Sequence, residues 1–448
     1  MGSADPWSGR VVRWLSVGAC CLLVLGAPVV GGEIPADLRK RLQVAVRAGD
    51  ESGIRGALDD VARIPGAEAV GLLLDAVPRV PSARVHLQIH ESLVGFGAEI
   101  LGAPFLERLA NKKTNPLILA AMLAVGADVE GDAAEQWLLL GLAHPDEMAQ
   151  RNAIDYLLQR RSKRAIPGLI AILARDGIDQ GTTSYGAHQA LISLTRRDFD
   201  SVEDWQNFWE THGAGLDPTA EPSEGDAGTG VRDVAPDAPT FFGVEIVTRR
   251  VVFVVDISGS MTKWDPGGEE GGTGSNWEVR QRIRRLRTEL FRAIDKLAKG
   301  AKFNVIAYNN EVRSMSGTLV LATPSTKSRA AQWVQKLEAD NATHTDEALR
   351  KAFQDPEVDT MILLSDGAPM KSREETATVL VPRILEEAKE LNRLRKVRIF
   401  TFGFEGQGKW PAGSKYARGN APETDPAEMV RFLKQLAEDH GGKYTAID

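Results

Sequence analysis

The chain has 448 residues, a formal net charge of −7 and two cysteines. That length is ample for two domains, and the acidic balance argues against a general nucleic-acid binder. Both cysteines, Cys20 and Cys21, lie near the N-terminus, so a chain trimmed of that segment has neither a disulfide nor a thiolate metal site.

The first predicted element is an export signal. Arg10 and Arg13 precede an uncharged apolar stretch from Trp14 to Val30. The stretch is short for a membrane span and contains Pro28, which favours a signal peptide cleaved near Gly31 or Gly32. An uncleaved N-terminal anchor is the alternative. Residues 1–32 are therefore expected to direct the chain out of the cytoplasm, to the periplasm, the cell envelope or the exterior.

Residues 33–215 read as helices joined by short turns. Apolar residues recur at helical spacing, as in Leu38, Leu42, Val44 and Val46, or Leu169, Ile170, Ile172 and Leu173. Ala36, Ala69, Ala103, Ala134 and Ala165 each open an apolar helix, at spacings of 33, 34, 31 and 31 residues. A period in this range signals an α-solenoid, and the pattern resembles HEAT-like repeats with short members. An irregular helical bundle is the competing reading. Trp205, Phe208 and Trp209 share one face of the last helix and are expected to cap its core. His86 and His90 lie four apart, a spacing that can hold zinc, yet no further ligand accompanies them. The basic turn Arg160, Arg161, Lys163 and Arg164 reads as a solvated face.

Residues 216–240 hold Pro218, Pro222, Pro236 and Pro239 among acidic and small residues, which predicts a flexible acidic linker. A second domain, residues 241–448, follows. Its strand Val251–Val255 is continuously apolar and reads as a central strand buried on both faces of a parallel sheet. Asp256, Ser258 and Ser260 leave that strand at alternate positions. Loops at the carboxyl ends of parallel strands are where open α/β sheets bind ligands. A donor set made only of oxygens suits a hard cation, Mg²⁺ before Ca²⁺ or Mn²⁺. Thr343 precedes a helical pattern from Asp346 to Phe353, and a second buried strand, Thr360–Leu364, ends in Ser365-Asp366-Gly367.

With these three motifs in order, the region from about Val244 to Asp448 resembles a von Willebrand factor type A domain with its metal-ion-dependent adhesion site. The resemblance implies a doubly wound, Rossmann-like α/β domain. It further implies that Ser258 and Ser260 bind the metal directly, that Thr343 binds directly or through water, and that Asp256 and Asp366 hold metal-bound waters. The same resemblance implies a binding site that captures a carboxylate of a protein partner, and no catalysis.

Other readings of these residues fail on chemistry. A haloacid-dehalogenase-type phosphatase needs a second Asp where Ser258 stands, and a nucleophile elbow needs Gly-x-Ser-x-Gly. Gly403 to Lys409 matches a phosphate loop until Trp410 replaces the required Ser or Thr, so it reads as a Gly-rich surface loop. The arginines at 280, 282, 284, 285, 287 and 292 read as a solvated helix face. Residues 262–277, with Asp265, Glu269 and Glu270, form a Gly-rich insertion that could act as a lid or as an internal carboxylate for the metal. The expected function is extracytoplasmic protein–protein binding or assembly. An RNA-binding protein resembling the Ro family and a metal-dependent hydrolase are the alternatives. The acidic helical region opposes the first, and the lack of a paired general base opposes the second.

Overall fold

The computed structural model describes residues 32–220, 239–265, 280–372, 374–406, 408–416 and 426–447. The expected export signal, most of the expected linker and most of the Gly-rich insertion, with Glu269 and Glu270, lie outside these residues. No helix among the described residues is long and apolar enough to cross a membrane. The chain divides into two compact units, residues 1–107 and 108–448, so the division falls inside the helical region.

The first unit is helical: α1 (Ala36–Ala48), α2 (Glu51–Ala62), α3 (Ala67–Ala76) and most of α4 (Ala83–Ala110). Asp50 caps α2 by accepting the Gly53 N–H, and Gly49 ends α1 in the left-handed conformation, as helix ends require. Leu38 and Leu42 are buried as the apolar spacing predicts, but Val44 is exposed and Val46 only half-buried, because they lie off the inner face of α1. Ala36 opens α1 as expected, but Ala103 lies within α4, after a break at Gly97 (φ 72°).

In the second unit, α5 (Pro116–Asp128), α6 (Asp132–Ala143), α7 (Glu147–Gln159), α8 (Ile166–Asp176), α9 (Thr182–Thr195) and α10 (Val202–His212) continue the helical region. Helix α5 packs on α7 and α7 on α9, while α6 packs on α8 and α8 on α10. Trp205 is fully buried and meets Phe199 and His188 edge-on, so it closes this end of the helical core as expected, whereas Phe208 and Trp209 are only half-buried. The basic turn before α8 is not merely a solvated face. Arg160 donates to the carbonyls of Gly126, Ala127 and Val129 at the end of α5, and Arg161 donates to the Ser193 hydroxyl and to the Ser193 and Pro218 carbonyls. Unpaired carbonyls at the ends of α5 and α9 explain the contacts to Gly126, Ala127 and Ser193.

The rest of this unit is a mixed α/β domain. A small antiparallel pair, β1 (Thr240–Phe241) and β2 (Val244–Glu245), precedes a seven-stranded sheet. The sheet comprises β3 (Arg250–Asp256), β4 (Lys302–Tyr308), β5 (Val312–Ser314), β6 (Val320–Leu321), β7 (Thr360–Ser365), β8 (Arg398–Phe404) and β9 (Tyr444–Ile447). Its order is β5-β4-β3-β7-β8-β9, with β6 also on β4. Strands β4, β3, β7, β8 and β9 run parallel, and β5 and β6 are antiparallel to β4.

Strand β3 is central and covered on both faces. Val251, Phe253 and Val255 join one core with α11 (Arg282–Lys296) and α12 (Pro324–Gln335), while Val252 and Val254 join another with α13 (Thr345–Phe353), α14 (Ala377–Asn392) and α15 (Pro426–Asp439). Alternate residues point to opposite faces, so a strand apolar at every position needs helices on both sides. The chain leaves β3 toward β4 on one side, whereas β7 leads to β8 and β9 on the other. A crevice therefore opens at the carboxyl ends of β3 and β7, the switch point where such sheets bind ligands. Helices α7 and α9 meet the opposite, amino-terminal edge. There Asn152 donates to the Leu394 carbonyl at 3.0 Å and Arg250 pairs with Glu147 at 3.1 Å.

Candidate metal centre

Asp256, Ser258, Ser260 and Asp366 converge at that switch point. The Ser260 hydroxyl donates to Asp366 Oδ1 at 2.6 Å, and the Ser258 and Ser260 hydroxyls lie 3.0 Å apart. Each hydroxyl carries one proton. Since that of Ser260 goes to Asp366, Ser258 is the donor to Ser260. A directed chain results, Ser258 to Ser260 to Asp366, which leaves lone pairs of both serines free for a cation.

Asp256 is fully buried beneath them. Its Oδ1 accepts the Ser258 N–H at 2.7 Å and its Oδ2 accepts the Ser365 hydroxyl at 2.6 Å. Burial, and then the negative charge of Asp366, push the Asp256 carboxyl up to about 7, against the lowering effect of the Ser365 and Ser258 hydrogen bonds. Thr343, also buried, sits on a segment laced to the metal loop through backbone. The Asp340 N–H donates to the Ile257 carbonyl at 2.9 Å and the Gly259 N–H to the Asn341 carbonyl at 3.0 Å. Thr343 and Met370 exchange both backbone hydrogen bonds, at 3.1 and 3.0 Å, which ties this segment to the loop after β7.

This donor set fits a hard divalent cation. Two buried carboxylates face a cluster of hydroxyls, and their mutual repulsion is the feature a cation relieves. Among the described residues no group of three or more His, Cys, Asp or Glu side chains is gathered as a metal site. The hydroxyl-rich loop is a different class of donor set from such a cluster.

Several residues at the site carried no warning in the motif. Arg282, expected on a solvated face, is buried against the site. Its Nη1 donates to Asp366 Oδ2 at 2.7 Å, its Nε to Asp265 Oδ1 at 2.9 Å, and its Nη2 to the Gly406 carbonyl. Asp265 also pairs with Arg285, so it is an anchor for two arginines and not a carboxylate poised over the metal loop. The signal was present in the spacing: Arg282 stands four and eight residues before buried Leu286 and Leu290, on the inner face of α11. Ser365, the last residue of β7, steadies Asp256 in the same way that Arg282 steadies Asp366.

The loop after β8 also belongs to the site's wall. Lys409 and Trp264 exchange backbone hydrogen bonds at 2.8 Å, so the supposed surface loop is a strand-like partner of the metal loop. Tyr416 donates to Asp340, accepts the Asn341 N–H at 2.9 Å and stacks on Trp410 with ring centroids 5.5 Å apart. A Cβ on Gly259 would lie 2.6 to 2.9 Å from the Tyr416 ring, so only glycine fits there.

Residues 251–441 match the von Willebrand factor type A domain. The chain is 26% identical over 201 residues to human von Willebrand factor A domain-containing protein 3A, covering 44% of this chain and 13% of that protein. It is 27% identical over 135 residues to mouse inter-alpha-trypsin inhibitor heavy chain H2, covering 28% and 12%. The chain thus spans about an eighth of the length of these relatives. Among solved structures it is similar to a von Willebrand factor type A protein from Catenulispora acidiphila, at 21% identity over 44% of this chain and 38% of that one, with a TM-score of 0.32. Residues 251–441, which hold the parallel sheet and the Asp256–Ser260 loop, are thus the part of this chain that matches the von Willebrand factor type A domain.

Proposed function

We propose that the protein is an extracytoplasmic binding or assembly factor that uses a divalent cation, Mg²⁺ or else Mn²⁺ or Ca²⁺, to capture an acidic residue of a protein partner. The carrying observation is the directed chain Ser258–Ser260–Asp366 at the switch point, above buried Asp256. Ser258, Ser260 and Thr343 would hold the cation through hydroxyl oxygens, with Asp256 and Asp366 behind them. Bound there, a divalent cation supplies an electrophilic centre with an open position for one carboxylate oxygen.

Charge supports the same reading. With Asp256 ionised, the carboxylates of Asp256, Asp366 and Asp265 outnumber the guanidiniums of Arg282 and Arg285 by one. A divalent cation turns that local balance from −1 to +1, which favours an anionic partner. Export rests on the apolar stretch from Trp14 to Val30. The packing of α5 on α7 and α7 on α9, and of α6 on α8 and α8 on α10, supports reading the helical region as HEAT-like repeats. Those repeats would add contacts that need no metal.

The test is calorimetry of the full chain with Mn²⁺, followed by capture of partners from envelope extracts with Mg²⁺ or with chelator. One cation per chain, and partners retained only with Mg²⁺, are expected. An Asp256→Ala variant that binds Mn²⁺ as well as wild type would overturn the assignment.

A further inference from the structure

We propose that a second site, at the opposite edge of the sheet, binds a phosphoryl group, carried by a small phosphomonoester or present as free phosphate. The site is a cleft of about 230 Å³ where α7 and α9 meet the amino-terminal end of β8 and the turn after α15. Its lining includes Arg151, Lys389, Arg393, Lys396, Arg398 and His440. Two acids share the lining, and both have lysine neighbours: Asp439 lies 3.1 Å from Lys389, and Asp155 lies 3.8 Å from Lys396. Three arginines remain in surplus.

Arg151 carries the argument. Only 6% of it is exposed, and its Nε and Nη1 have no hydrogen-bond partner among the described residues. A buried guanidinium with unfilled donors is costly, and proteins keep one where an anion meets it. The acids around it are engaged elsewhere. Glu147 stands 4.0 Å away and pairs with Arg250 at 3.1 Å, while Asp359 Oδ1 accepts the hydroxyls of Thr248 and Thr360. A guanidinium offers paired N–H groups in the plane that matches two oxygens of a phosphoryl group.

His440 adds a second unfilled donor. The Asn392 amide is fixed by Val397, whose N–H donates to Oδ1 and whose carbonyl accepts from Nδ2, both at 2.7 Å. That Nδ2 also faces His440 Nδ1 at 3.0 Å, so Nδ1 is the acceptor and the ring proton sits on Nε2. His440 Nε2 is buried without a hydrogen-bond partner among the described residues.

The backbone makes room for the same cluster. Gly186 lies inside α9, where glycine weakens a helix relative to alanine. A Cβ there would stand 2.7 Å from Arg398 Nη2, so the missing side chain admits the guanidinium. Lys396, which also lines the cleft, holds a left-handed backbone (φ 51°), a conformation disfavoured for residues with a side chain. The volume is below the ~300 Å³ at which drug-sized pockets begin, which suits a small anion.

The experiment titrates the full chain with inorganic phosphate and, separately, with glycerol 3-phosphate, at constant ionic strength set by chloride. Saturable one-to-one binding is expected. Tighter binding of glycerol 3-phosphate identifies an ester as the ligand, and tighter binding of phosphate identifies the free anion. Arg151→Gln should weaken binding at least tenfold and Arg393→Ala several-fold. Should Arg151→Gln fail to fold, Arg393→Ala and Gly186→Ala, which displaces Arg398, carry the test. No saturable binding of either anion by the wild-type chain, or unchanged affinity in the folded variants, overturns the proposal.

Discussion

Arg282 Nη1 donates to Asp366 Oδ2 at 2.7 Å with both side chains buried, so the carboxylate marked by the motif is held by an arginine from the helix after the metal loop. Arg282 is the hub that joins Asp366, Asp265 and the Gly406 carbonyl. Burial lowers the pKa of this guanidinium, but the charge of Asp366 and the hydrogen bonds that Arg282 donates to Asp265 and Asp366 outweigh it and raise it. Removing one partner of a buried pair leaves an uncompensated charge and costs about 3–5 kcal/mol. Arg282→Met should therefore lower stability by that order, and adding Asp265→Asn should recover part of the loss. Hydrogen exchange of the β3 amides measures both. A loss below about 1 kcal/mol for Arg282→Met would show that the pair does not hold the site together.

The metal loop should lose its cation without losing its fold. Ser258, Ser260 and Asp366 sit at a strand-end crevice, and the apolar residues of β3 and β7 make the core beneath them. Ser260→Ala removes one donor and breaks the chain from Ser258 to Asp366. Mn²⁺ affinity, measured by calorimetry, should fall at least tenfold, with the far-ultraviolet circular dichroism unchanged. Thr343→Ala should behave in the same way. Equal affinity in both variants would mean that the hydroxyls do not ligate.

The sequence revealed the parts of this domain that depend on local pattern. The run Val251–Val255 was legible as a doubly covered strand because every position is apolar, and Asp256, Ser258, Ser260 and Asp366 were legible because they follow such strands. Asp265 and Tyr416 were not, because their roles arise from chain segments brought together only by the sheet. The basic residues misled for a related reason. A run of arginines has no intrinsic address, and only the partner decides whether one is solvated, like Arg292, or buried, like Arg282. The direct packing of α7 and α9 on the sheet was equally hidden, since Asn152 meets Leu394 across 242 positions of sequence.

Gly259 should tolerate no side chain while Tyr416 is in place. The added methyl of Gly259→Ala would fall within 2.9 Å of three ring atoms, and overpacking of this kind costs about 1–3 kcal/mol. Moving the ring would also release Asp340 and the Asn341 N–H, and with them the segment leading to Thr343. Gly259→Ala should thus weaken Mn²⁺ binding as well as stability. Tyr416→Ala relieves the clash, so the double variant should be less impaired than the two single effects added together. Strict additivity in thermal unfolding would indicate that ring and glycine do not meet.

Two histidines should give stability opposite dependences on pH. His188 is buried between Asp179, at 3.2 Å, and Asp198, at 3.1 Å. Burial disfavours its charge, but the hydrogen bond and charge of Asp179, followed by those of Asp198, outweigh burial and raise its pKa. A raised pKa in the folded state stabilises fully below the unfolded value of about 6.5, and this is lost as pH rises through the folded value. His440 behaves in reverse. Burial is the main cause that lowers it to about 4, with Lys389 and Lys396 adding to the effect and Asp439 opposing it. Its contribution is present above about 6.5 and is lost as pH falls toward 4, on the order of 3 kcal/mol over that window. The margin of wild type over His188→Gln should therefore be widest near pH 6 and shrink above neutrality. His440→Asn should lose less stability than wild type between pH 6.5 and 4. Thermal unfolding of the three proteins across pH 4 to 9 measures both, and parallel curves for wild type and His440→Asn below pH 6.5 would show that His440 is not held neutral by its burial.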